Sequence, residues 1–235
     1  MVLLIGHRGF RGRLENTVPA FRRALRYADG IEFDVWETGD GKIVITHDGE
    51  VGGIPVKSLT LREVLRTDRA IPTLTRVLRE FRSAFMDVDV KDIDAVEGSV
   101  RLVERFGVDA VFSADKPGLV RSLQKECPDC RVGFSITGYW GALVLPSLRG
   151  IYSLHVPIDA VSYVGFRNMV AILRIAWKRG LKIFLWNYRM DELTWVPRFL
   201  PFVDGVIADN PARMRKVLLE APTKDRGGEA CGELE

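Results

Sequence analysis

Eight short apolar, β-branched runs, all but the fifth followed by a longer stretch of helical periodicity, constrain this chain more than any other feature. The runs fall at 2–5, 30–35, 84–90, 110–113, 131–135, 151–155, 182–186 and 205–208. The helical patterns occupy 18–27, 61–66 with 74–81, 95–106, 117–125, 169–178, 190–196 and 211–219. Alternation of this kind builds a parallel sheet from repeated βα units, because parallel neighbours need a long crossover between them. Eight units in 235 residues favour an α/β fold closed as a single (β/α)8 TIM barrel, with no second domain required. The barrel domain is expected over 1–221, and 222–235, rich in Gly and charge, is expected to be a disordered tail. The segment after Ser135 is too apolar and too Gly-broken to assign.

Closure would place the C-terminal ends of all eight strands on one rim, the face where barrels of this type carry their chemistry. His7, Glu32, Asp34, Asp89, Lys91, Ser113, Ser135, His155, Trp186 and Asp209 lie at or just past those ends. A strand repeats every two residues, so Glu32 and Asp34 share one face while Ile31, Phe33 and Val35 share the other. Two carboxylates held side by side on an otherwise apolar strand repel each other and lose hydration, so they need a cation. Asp87, Asp89 and Lys91 repeat the logic on the third strand; Asp89 lies nearer the rim than Asp87 and is the expected third metal ligand. Gly39-Asp40-Gly41 reads as a turn that folds 42–46 back on the second strand, returning His47 to the barrel end that His7 occupies.

The balance of 34 basic and 31 acidic residues, mixed along the chain, offers no field that argues for nucleic acid. No apolar run approaches the roughly 20 residues of a membrane span, and Met1 leads directly into an apolar strand with no basic leader. A cytoplasmic location is therefore expected. Three cysteines do not make a disulfide framework. Cys127-Pro128-Asp129-Cys130 reads as a helix-to-strand junction, being a weak signal for zinc or redox chemistry without a second pair.

Gly6-His7-Arg8-Gly9, Glu15-Asn16-Thr17, Glu32-x-Asp34-Val35, Thr38, Asp40-Gly41 and His47-Asp48, in this order, resemble the signature of the glycerophosphodiester phosphodiesterase family. Pro72-Thr73-Leu74, Asp89-x-Lys91, Trp186 and the run from Asp204 to Pro211 resemble its later landmarks. The resemblance implies a barrel hydrolase that cleaves a small-molecule glycerophosphodiester to sn-glycerol 3-phosphate and an alcohol. It also implies His7 and His47 as acid and base, one divalent cation (Mg²⁺ or Ca²⁺, with Mn²⁺ as a third option) on Glu32, Asp34 and Asp89, and Arg8 and Lys91 near the phosphate. Trp186 is expected as a rim platform for the glycerol or alcohol moiety.

Elementary chemistry leads to the same assignments. A phosphodiester repels nucleophiles, and its alkoxide leaving group needs a proton. A hard cation on carboxylates neutralises the first obstacle, aided by bidentate Arg8 and the point charge of Lys91. Histidines that titrate near neutrality meet the second. The nucleophile is either water or, as the paired histidines favour, the substrate's own glycerol 2-hydroxyl, which gains from proximity.

Three departures from the family pattern stand out. Asp89 replaces the usual Glu, Asn187-Tyr188-Arg189 follow Trp186 in place of Thr-Val-Asn, and Ala208 stands where Thr is common.

Singly, each residue also has a structural reading: His7 as a strand-end cap, His47 on a solvated turn, Asp89 and Lys91 as an ion pair, His155 as a satisfied core histidine. Glu15 and Asn16 are expected to orient the loop behind His7. The apolar stretch 139–146 is either a core helix or a greasy wall for transient lipid contact. Competing functions are a phospholipase C-like or lysophospholipase D-like barrel hydrolase, a metal-assisted proton-abstraction enzyme and a non-catalytic phosphate or headgroup binder.

Overall fold

The computed structural model describes residues 2–220. Eight strands form the barrel: β1 (Leu3–Gly6), β2 (Gly30–Glu37), β3 (Phe85–Val90), β4 (Ala110–Ala114), β5 (Val132–Ser135), β6 (Ser153–Pro157), β7 (Lys182–Trp186) and β8 (Gly205–Ala208). Each pairs in parallel with its sequence neighbours, and β1 pairs with both β8 and β2, which closes the barrel. All eight predicted strands are present, with ends shifted by two residues or fewer.

The period of two divides each strand between two cores. Ile31, Phe33 and Val35 of β2 face the surrounding helices and join the large outer core with Phe21, Leu74 and Leu78. Burying each such side chain contributes roughly 1.5–3 kcal/mol. Inside the barrel, Ile5, Val111, Phe184 and Ile207 form a separate apolar cluster. Two residues further along the same faces stand His7, Ser113, Trp186 and Asp209. The apolar layer thus forms the floor of a polar mouth.

Local signals set the crossovers. Thr17 caps the helix Val18–Ala24, accepting from the Ala20 N–H, with a proline in its first turn. That helix ends three residues before the predicted Tyr27. Asp191 caps the helix Glu192–Phe199, which therefore starts two residues later than expected. The segment left unassigned after Ser135 forms a six-residue helix, Tyr139–Val144, and a 3-10 turn, Leu145–Ser147. Ile43–Ile45 pairs antiparallel with the end of β2, Val35 against Ile45, as the Gly39-Asp40-Gly41 turn predicts. A small hairpin, Glu50–Val51 with Ile54–Pro55, follows; its two-residue turn, Gly52-Gly53, both at positive φ, is a hairpin signal that went unread.

Cys127 and Cys130 lie at the junction between the helix Pro117–Glu126 and β5, where they are joined as a disulfide. The pair sits at the expected helix-to-strand junction, and the bond between the two is an addition to that expectation. A single short-range bridge gives no framework pattern by which to recognise it. The expected tail, 222–235, lies outside the described residues. Among the described residues no helix is long and apolar enough to cross a membrane.

Candidate active site

A cavity of about 240 Å³ opens at the C-terminal ends of the strands, and His7, Arg8, Glu32, Asp34, His47, Asp89, Lys91 and Trp186 all line it. Every site residue predicted from sequence is therefore brought to one place. The two histidines approach from different elements. His7 continues β1, its backbone N–H donating to the Ala208 carbonyl at 2.9 Å. His47 arrives on the returning ribbon, where Thr46 N donates to the Asp34 carbonyl at 3.1 Å. His7 is buried, whereas the His47 side chain is 44% exposed, with Nδ1 2.5 Å from Asp48 Oδ1.

The turn after β1 is held open by its glycines. A Cβ on Gly6 would meet the Gly9 carbonyl oxygen at 2.1 Å, a distance no side chain tolerates. Arg8 has φ +50° and Asn16 φ +56°, both in the left-handed region that non-glycine residues rarely adopt. The Asn16 N–H donates to the Arg8 carbonyl at 3.0 Å, tying the two strained residues together.

Glu32, Asp34 and Asp89 are buried and place carboxylate oxygens within 4.8 Å of one another. Their partners differ. Asp34 Oδ1 lies 3.0 Å from Lys91 Nζ, and Oδ2 lies 3.2 Å from Arg8 Nε and accepts from Asn16 Nδ2 at 2.9 Å. Burial pushes the Asp34 carboxyl upward, but Lys91 and Arg8 overcome this and hold it below the usual range. Glu32 accepts the Arg8 backbone N–H at 2.8 Å. Burial and then the neighbouring Asp34, Asp87 and Asp89 drive its carboxyl well above the ordinary range. Asp89 is raised too, chiefly by burial, even though Lys91 is bonded to it. Its Oδ1 is buried without a hydrogen-bond partner. Three oxygen donors, a carboxyl held up by burial and by like charge, and an unpartnered buried oxygen suit a hard divalent cation, which would supply the missing positive charge.

Several interactions were not read from sequence. His7 Nδ1 lies 2.6 Å from Asp209 Oδ1, and Arg11 Nη1 lies 2.9 Å from Asp209 Oδ2. Burial acts to raise the Asp209 carboxyl, but His7 and Arg11 hold it low. Glu192 in turn accepts the backbone N–H groups of Asp209 (2.8 Å) and Asn210 (3.0 Å). Glu15 grips Arg8 Nη1 at 2.7 Å, while Asn16 reaches Asp34. The pair expected only to shape the loop thus also fixes the Arg8 guanidinium and the Asp34 carboxylate. Lys91 bridges Asp34 and Asp89, so the simple Asp89–Lys91 ion pair understates its role. Trp186 lies edge-on to Tyr188, with ring centroids 4.2 Å apart.

Beneath the mouth, Asp87 accepts from Ser113 Oγ at 2.7 Å and faces His155 Nδ1 at 3.4 Å, while His155 Nε2 lies 3.0 Å from Ser153 Oγ. His155 is 2% exposed, and burial pushes its pKa down to about 3. It is a neutral, partnered core histidine.

Fold and site together define a class: a hydrolase of phosphoric diesters built on a (β/α)8 barrel. A sequence model of the glycerophosphoryl diester phosphodiesterase family matches residues 7–98, and the chain is similar to members of that family along most of its length. A glycerophosphodiester phosphodiesterase of Caldanaerobacter subterraneus subsp. tengcongensis is 29% identical over 241 residues, covering 89% of this chain and 94% of the relative. The crystal structure of a glycerophosphodiester phosphodiesterase from Thermotoga maritima superposes with a TM-score of 0.78 at 26% identity, over 92% of this chain and 98% of that one. A lysophospholipase D of Mus musculus is 24% identical over 272 residues, covering 92% of this chain and 82% of its own.

Proposed function

We propose that the chain hydrolyses glycerophosphodiesters to sn-glycerol 3-phosphate and an alcohol, with one divalent cation on Glu32, Asp34 and Asp89 and with His7 and His47 moving the protons. The observation that carries this reading is the meeting of two histidines from separate elements around a buried three-carboxylate cluster in one cavity. A purely binding barrel needs the charge but not a proton-transfer pair.

When bound, the cation would neutralise phosphate oxygens and so reduce their repulsion of a nucleophile. Arg8 and Lys91, fixed by Glu15, Asp34 and Asp89, bind and orient the phosphate. Asp209 accepts the His7 Nδ1 proton, which leaves Nε2, 4.0 Å from Glu32 Oε2, to withdraw the proton of the attacking hydroxyl. His47, on the open side of the cavity, gives a proton to the departing alcohol. Trp186 forms a wall for the glycerol or alcohol half. The attacking hydroxyl is the substrate's own 2-hydroxyl, which gives a cyclic phosphate that water then opens.

The test is phosphorus NMR of glycerophosphocholine, glycerophosphoethanolamine and a lysophospholipid with chelated protein, followed by addition of Mg²⁺, Ca²⁺ or Mn²⁺ singly. Cation-restored release of glycerol 3-phosphate from the small substrates supports the proposal. Turnover that survives exhaustive chelation refutes the cation's part, and a strong preference for the lysophospholipid moves the substrate class to lipids. Full activity on a 2-deoxyglycerol analogue, with no cyclic phosphate at any stage, refutes the internal route.

A further inference from the structure

The near-balance of the whole chain conceals an uneven distribution. Of 34 basic and 31 acidic residues, residues 131–190 hold eight and one, and the remainder holds 26 and 30. That quarter of the molecule comprises β5, β6, β7 and their crossovers, one continuous sector of the barrel wall. Its single acid, Asp159, is engaged: its carboxylate accepts the backbone N–H groups of Tyr188, Arg189 and Met190 at 2.8–3.1 Å. Arg167, Arg174, Lys178, Arg179 and Arg189 are all exposed.

The same sector carries exposed apolar side chains. Tyr163 is 89% exposed, Ile175 53%, Trp177 48% and Ile172 41%. Packing explains two of them. The crossover from β5 to β6 contains only a six-residue helix and a 3-10 turn, too short to cover the flank of the 13-residue helix Phe166–Lys178 that follows β6. A groove of about 360 Å³ is left between them, lined by Leu145, Leu148, Ile172, Ile175 and, at its edge, Arg179. Tyr163 and Val164 follow the C-terminal end of β6, so the sector extends to the side of the barrel that bears the mouth.

We propose that this sector docks the protein on an anionic phospholipid bilayer, with the apolar side chains entering the headgroup boundary and the surrounding cations meeting lipid phosphates. Isolated apolar residues on a surface are ordinary. Arg131 and Lys182 are paired with Asp109 and Asp204 beyond the sector's edges, but an exposed groove, a tryptophan and the exposed cations Arg167, Arg174, Lys178, Arg179 and Arg189 together match the requirements of interfacial attachment. A second copy of the chain is the poorer occupant, because it would oppose like charge to like charge. A polyanion such as nucleic acid would use the cations but not the isoleucines.

The test is co-sedimentation of the full chain with vesicles of phosphatidylcholine alone or with roughly 30 mol % phosphatidylglycerol. Sedimentation only with the anionic vesicles, reversed by raising salt from about 0.05 M to about 0.5 M, is expected. Both Lys178→Glu/Arg179→Glu and Ile175→Ser/Trp177→Ser should lower the partition coefficient at least about tenfold. Arg62→Glu/Arg69→Glu, on exposed residues outside the sector, should leave it unchanged, and circular dichroism melts check that each variant is folded. Absence of vesicle binding, equal binding by all variants, or binding that depends on the charges but not on Ile175 and Trp177 overturns the proposal. So does a dimer, measured by ultracentrifugation, that is lost in Ile175→Ser/Trp177→Ser while vesicles are ignored.

Discussion

His7 and Asp209 are 202 residues apart in sequence and hold each other at 2.6 Å, Nδ1 to Oδ1, across the seam where β1 meets β8. The contact fixes the tautomer and the plane of the imidazole, and Glu192 fixes Asp209 from behind through two backbone N–H groups. In Asp209→Asn the side-chain shape is kept while the anion is lost. We expect kcat to fall by about 10²-fold or more with KM little changed. Glu192→Gln, one step further out, should cost about tenfold. Steady-state kinetics on glycerophosphocholine check both, and an unaltered kcat in Asp209→Asn rules out a part for this pair.

Lys91 occupies the place a cation would share, since it lies against both Asp34 and Asp89. Lys91→Met should therefore tighten Mn²⁺ binding in a calorimetric titration while raising KM for the diester about tenfold, because phosphate loses a positive partner. Asp89→Ala should weaken the same titration by about 100-fold or more, and Asp89→Glu should restore most of it. A cation isotherm indifferent to all three changes would place the ion elsewhere.

Asn16 combines a backbone conformation with a side-chain role, having φ +56° and an amide that donates to Asp34. Glycine adopts that φ without strain. Asn16→Gly should keep the melting temperature near that of the parent yet lower cation affinity by roughly 10–100-fold. A fall in melting temperature with unchanged affinity would show that Asn16 serves the loop alone.

The strand pattern and the two-fold periodicity of Glu32 and Asp34 were legible because both are local: burial alternates along one strand whatever the rest of the chain does. Asp89 and Lys91 were legible for the same reason. Asp209, although placed at the rim, could not be matched to His7. That pairing depends on which strands meet at the seam, and closure brings them together only in three dimensions. Glu192 was missed because it acts through backbone groups, which leave no residue pattern. Tyr139–Val144 escaped assignment because apolar residues occur on every side of so short a helix, so no face marks it. The evenly mixed charge read from totals failed for a related reason, as a whole-chain sum hides a sector.

His155 and Asp87 pull stability in opposite directions with pH. The depressed folded value of His155, about 3, lies below its unfolded value near 6.5. Its contribution is therefore full above the unfolded value and is lost as pH falls from there towards 3. Asp87, raised to about 8 by burial, loses its contribution as pH rises from about 4 through 8. His155→Gln removes the first effect and keeps the second. Urea unfolding should show the variant's deficit relative to the parent shrinking by about 2 kcal/mol between pH 7 and pH 5. A constant deficit would mean that His155 is not kept neutral.

Wild type, His7→Ala and His47→Ala, each saturated with cation and supplied with glycerophosphocholine, bear on the whole account when release of glycerol 3-phosphate is followed by phosphorus NMR. Each variant is predicted to lose about 10²–10⁴-fold in rate while binding Mn²⁺ as tightly as the parent. His47→Ala should recover much of its rate on an aryl ester whose leaving group needs no proton, and His7→Ala should not. Near-parental turnover of glycerophosphocholine by either variant contradicts the account.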